Sequence, residues 1–131
     1  MAGSMNTKLT ASFDCIIAER TFEFRDGRSG VVKICIAQPQ RIKDEENWIC
    51  EFKVEGIDIG NAHYACGVDS LQALTCAIER IELLMRPFIN TLQWFQGIDH
   101  LGLCAMVPLY YGRSFHDDIV SVIDRKVKEK K

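Results

Sequence analysis

A chain of 131 residues has the size of one domain, and 47% apolar with 26% charged residues is the balance of a packed globule, which excludes wholesale disorder. A formal net charge of −2 argues against a generic binder of phosphate backbones, which would be basic. No run of about 18 apolar residues occurs, so no membrane-crossing helix is expected, and the N-terminus lacks the basic-then-apolar pattern of a secretory signal.

Met1-Ala2-Gly3-Ser4, ahead of a second Met5, reads as an expression-tag scar, which leaves residues 5–131 as a single domain. The first element predicted is a half-buried strand over Cys15 to Phe24. Ile16, Ala18, Phe22 and Phe24 share one face, interrupted by Arg20, and Glu19, Thr21 and Glu23 share the other. Arg25-Asp-Gly-Arg-Ser-Gly30 is a hairpin loop with two glycines able to take positive φ. A β-branched strand follows from Val31 to Ala37 and is closed by Pro39, while Gln40 to Asn47 is a polar connection. In Trp48 to Val54 the period of two is strict. Trp48, Cys50, Phe52 and Val54 are expected in the core, with Glu51, Lys53 and Glu55 on a wet face. After a turn over Gly56 to Asn61, Ala62 to Cys66 completes an antiparallel meander of four strands.

The period then changes. Leu71, Leu74, Ile78, Ile81, Met85, Phe88 and Leu92 form one stripe of a long helix, widened by Ala73, Ala77 and Leu84. Asp69 is its N-cap, Gln72 completes a capping box, and Val68 is placed to staple onto Ala73. Pro87 lacks an N–H, so a kink or restart is expected there. Leu101 to Val107 is strand-like. Ser114 with Asp117 repeats the capping spacing ahead of a second helix carrying Phe115, Ile119, Val122 and Val127, whose basic end suits a helix C-terminus.

The six cysteines all lie in apolar stretches and none forms a C-x-x-C, so reduced core thiols in a cytoplasmic protein are expected, not a disulfide framework. No catalytic, cofactor-binding or metal residue is predicted. His63 and Cys66 should point to opposite faces of their strand, and Asp69 would raise a neighbouring thiol's pKa. His100 with Cys104 supplies only two ligands. The corner Gly67 to Gln72 offers the donors of a helix N-terminus, but Asp69 itself is expected to occupy them.

Two surface features remain. The adjacent Tyr110 and Tyr111 either cover a core edge, the favoured reading, or offer amphipathic area to a partner. Asp44, Glu45 and Glu46 form an acidic cluster in a polar loop, able to steer a partner electrostatically.

The segments Trp48-Ile-Cys-Glu-Phe-Lys-Val-Glu-Gly56 and Tyr64-Ala-Cys-Gly-Val-Asp-Ser-Leu-Gln-Ala-Leu74 carry a resemblance. They resemble a group of small uncharacterised bacterial domains built around W-x-C-x-F-x-[VI]-x-G and Y-x-x-G-V-D-x-L-Q-A-L. The resemblance covers residues 31–104, with Trp94 and Gly102 downstream. Some members look like immunity or partner proteins of bacterial toxin systems, which implies a toxin or effector as the partner.

The expectation is therefore an α+β domain. An antiparallel sheet of four or five strands should pack on one long helix, with a C-terminal helix beside it. The expected role is a non-catalytic protein-binding module with no cofactor and no nucleic-acid or membrane partner. Tyr110, Tyr111, Asp44, Glu45 and Glu46 are its candidate contacts. The alternatives are a small enzyme assembling His63, His100, His116 or a cysteine in one pocket, and a homo-oligomer built on a sheet edge.

Overall fold

A computed structural model describes residues 13–60 and 63–130. The tag-like residues 1–4 and Ala62, expected to open the fourth strand, lie outside the described residues. The elements are β1 (Ile16–Phe24), β2 (Val31–Ala37), β3 (Gln40–Arg41), β4 (Trp48–Glu55), β5 (His63–Gly67), α1 (Ser70–Met85), a 3-10 turn (Arg86–Phe88), β6 (Leu92–Gln93) and α2 (Arg113–Lys130). The fold is α+β with an antiparallel sheet, as the periodicities require.

The hairpin joining β1 and β2 is built by its own side chains. Asp26 accepts from the Arg28 backbone N–H at 3.0 Å and from its guanidinium, which lies 4.4 Å over the Phe24 ring. These contacts, led by the backbone N–H, hold the Asp26 carboxyl below its ordinary pKa. β4 sits centrally. β5 pairs with one edge, and β2 followed by β3 pairs with the other. Between Ile36↔Phe52 and Gln40↔Ile49 the register slips by one residue, where Pro39 has no N–H to give the ladder.

The core lies between one face of this sheet and α1. Phe22, Val32, Ile34, Cys50, Phe52 and Ala65 meet Ala73, Ala77, Ile81 and Met85 there, with Leu92 and Leu101 closing the end. Trp48, expected in the core, is half-buried against it. The centre of the buried helix face is the alanine pair, whose small side chains let α1 lie close to β4 and β5. The leucine stripe is correspondingly rotated outwards, with Leu71 exposed and Leu74 half-buried. Asp69 caps α1 by accepting from Gln72 N–H at 2.8 Å, and the Gln72 side chain accepts from Val68 N–H at 2.7 Å. Val68 itself is exposed and makes no staple.

Other expectations are corrected. The helix is not long: it ends at Met85 and passes into the 3-10 turn, because Pro87 cannot donate to the Leu83 carbonyl. Leu92 belongs to β6, which pairs with the end of β1. Glu51 is 1% exposed, so β4 has no fully wet face. Beside it, Ile42 and Ile49 form a second small apolar cluster away from α1. Leu101 to Val107 is not a strand, since Gly102 takes φ 72° and the carbonyls of Leu101 and Gly102 are taken by Arg20. Finally, α2 does not pack beside α1: none of its residues is buried.

Candidate functional site

The helix face of the sheet is unevenly covered. α1 lies over β4 and β5, while the stretch from Trp94 to Met106 closes over β1. Between the two covers runs a groove of about 310 Å³, floored by Ile34 and Ile36 and walled by Ile78, Ile81, Leu103 and Met106. Arg20, the residue that interrupts the apolar face of β1, marks its end. Its Nη1 donates to the carbonyls of Gly102 at 2.8 Å and Leu101 at 3.3 Å, and its guanidinium lies 4.1 Å over the Trp94 ring.

That clasp depends on two further residues. A Cβ at Gly102 would collide with the Trp94 ring, so only glycine lets the loop close on it. The Gly102 N–H in turn donates to His100 Nδ1 at 3.0 Å, which fixes the imidazole's other nitrogen as its N–H. Periodicity marks Arg20 only as an interruption. Its partners are too distant in sequence for local pattern to pair them.

The histidines and cysteines stand apart. His63 stacks on Phe52 at 5.4 Å and donates from Nε2 to the Ile59 carbonyl, a satisfied structural position. His100 belongs to the clasp, and His116 neighbours Asp117 on α2. All six thiols are free, but only Cys35 and Cys50 are buried, while Cys15, Cys66 and Cys104 are exposed, contrary to the expected core placement. Burial pushes the Cys50 thiol up to about 11. The Cys66 thiol is also raised, first by desolvation of its sulfur and then by Glu45, not by Asp69. A thiol held up in this way is a poorer nucleophile at neutral pH. Among the described residues no three His, Cys, Asp or Glu side chains gather as metal ligands.

The tyrosine pair does not cover the core. Tyr110 is 78% and Tyr111 65% exposed, with ring centroids 4.5 Å apart, and Phe115 lies 5.1 Å beyond Tyr111. Leu109 is exposed beside them, so the approach to α2 is an aromatic and aliphatic patch open to solvent. The Tyr110 hydroxyl is shifted upwards, mainly by Tyr111 and further by Glu79 of α1. Asp44, Glu45 and Glu46 occupy the exposed turn after β3, where Asp44 takes φ 65° and Arg41 donates to the Glu45 carbonyl. No hydrogen bond, ion pair or ring contact among the described residues joins this turn to the tyrosines.

These features define a small α+β domain with an open antiparallel sheet, one helix laid on part of one face, and a clasped loop over the rest. The chain belongs to the family described as Domain of unknown function (DUF6968), whose model matches residues 18–104. The match runs from β1 through the clasp and stops before the tyrosine pair and α2. No curated protein and no solved structure matches the chain. No helix among the described residues is long and apolar enough to cross a membrane.

Proposed function

We propose that this chain is a non-catalytic protein-binding module, of the kind that neutralises a bacterial toxin or effector by covering it. The observation that carries the reading is the exposed patch of Leu109, Tyr110 and Tyr111. Three large apolar side chains standing together in solvent lose water profitably only against another surface. Tyrosine is among the residues that dominate binding energy when such a patch is desolvated. The acidic turn Asp44-Glu45-Glu46 shares no hydrogen bond, ion pair or ring contact with the tyrosines among the described residues, and its charge suits long-range steering of a basic partner.

The test is co-expression with the product of the adjacent gene, followed by size exclusion and binding kinetics. Co-elution is expected. Tyr110→Ala or Tyr111→Ala should speed dissociation, and replacing the three acids with their amides should slow association and flatten its salt dependence. Turnover of a metabolite by the isolated protein, lost when the groove is blocked at Ile78 and unchanged by the tyrosine substitutions, would overturn the reading in favour of an enzyme.

A further inference from the structure

The 18 residues of α2 make an amphipathic helix none of whose residues is buried, Ile119 and Val120 being half-covered and Phe115 meeting the Tyr111 ring. Phe115, Ile119, Val122 and Lys126 follow the four-three-four spacing that keeps one seam in line, with Ile123 and Val127 alongside. Phe115, Val122, Ile123 and Val127 are all exposed. A helix rich in β-branched residues gains little from intrinsic propensity and is held chiefly by burial of its apolar face. α2 therefore needs a cover.

Its charges say which cover fits. On one flank of the seam lie Asp118 and Arg125, both exposed and neither in an ion pair among the described residues. They are seven residues apart, so they share one side of the helix but stand roughly 10 Å apart along its axis, too far to pair with each other. In two helices packed antiparallel about a twofold axis, each flank faces its own copy in reverse. Asp118 then meets Arg125 of the other copy, and Arg125 meets its Asp118. The same arrangement sets Ile119 against Val122 and lays the Lys126 stem over Phe115, and it opposes the helix dipoles favourably. Parallel packing would instead set this flank against the opposite one, Asp118 facing Ile123 and Arg125 facing Lys130, with no ion pair formed.

We infer that α2 is a homodimerisation helix, pairing antiparallel with α2 of a second copy through the Phe115–Ile119–Val122–Lys126 seam and reciprocal Asp118–Arg125 ion pairs. The inference stands on residues beyond the tyrosine patch and holds whether or not that patch binds a toxin. Such a dimer would carry two tyrosine patches.

The test is sedimentation equilibrium on the full chain over a wide concentration range. The unaltered protein should self-associate to a dimer. Asp118→Arg and Arg125→Asp should each weaken it, by roughly tenfold or more because each substitution disturbs both symmetric contacts. The double variant Asp118→Arg, Arg125→Asp should restore affinity to within roughly threefold of the original, as a coupled pair requires. Restoration also separates pairing from helix propensity. Both reversals oppose the dipole of α2, so if they acted only on helix stability the double variant would be worse than either single one. Circular dichroism checks that the fold persists. A chain that stays monomeric throughout, a dimer indifferent to both reversals, or a double variant no better than the singles would overturn the inference.

Discussion

α1 and α2 are of similar length, 16 and 18 residues, and both are amphipathic, yet α1 buries Ala73, Ala77, Ile81, Glu82 and Met85 while α2 buries nothing. The difference lies in what each faces. α1 follows β5 at a tight, capped corner and falls back on β4 and β5 at once, with alanines at the points of closest approach. α2 follows an irregular stretch after the clasp, when the helix face of the sheet is already largely covered by α1 and the stretch from Trp94 to Met106. Amphipathicity thus states that a face wants cover, and the place of the helix in the chain decides whether the sheet is still open to give it.

Phe52, fully buried between β4 and α1, should cost about 3–5 kcal/mol when changed to alanine, while half-buried Trp48 should cost roughly half as much in the same denaturant titration. A smaller loss at Phe52 than at Trp48 would mean that α1 does not seal the sheet there.

Alkaline pH probes the same layer. Cys50 has its thiol pKa raised from 9.0 to about 11, so between those values the unfolded chain releases a proton that the folded one retains. Stability contributed by the neutral thiol is complete below pH 9 and falls as pH rises towards 11, by at most roughly 2 kcal/mol. The slope of unfolding free energy against pH in that window should be shallower in Cys50→Ala, measured against each protein's own neutral value.

The cap of α1 comes next. Asp69→Ala should lose about 1 kcal/mol and Asp69→Asn only a few tenths, because asparagine also accepts from the Gln72 N–H. Equal, large losses would show that the charge, not the hydrogen bond, holds the corner. The smallest effect belongs to α2. In dilute protein, Val122→Asp should move the unfolding free energy of the sheet by no more than about 0.5 kcal/mol, since no packed neighbour is lost. A large loss would place α2 in the cooperative unit with α1.

Much of this was legible in the sequence where the signal is local. The hairpin at Arg25 to Gly30, the alternation around Phe52, the Asp69–Gln72 cap and the break at Pro87 each follow from residues within a few positions. Glu51 departs from the expected wet face because a period of two identifies faces without saying whether a second cluster, here Ile42 and Ile49, lies beside one of them. A hydrophobicity pattern centres the helix stripe on leucines because it weighs apolar character above size, whereas the buried face of α1 is centred on Ala73 and Ala77. The candidate contacts were only partly legible. Tyr110 and Tyr111 stand out as a pair, but their exposure depends on where the clasp leaves the chain. Arg20, Trp94 and Gly102 meet across a separation that no local window spans.

The Arg20–Gly102 hydrogen bond joins residues 82 positions apart, nearly the whole reach of the family match. Closing so long a loop costs chain entropy before any contact repays it, so local hairpins and the β4–β5–α1 unit can gather earlier than this tie. On the ribosome, β1 emerges first and waits for almost the entire remaining domain before the loop that clasps it is made. The first described strand is therefore secured by a loop that is made only after every other strand of the sheet.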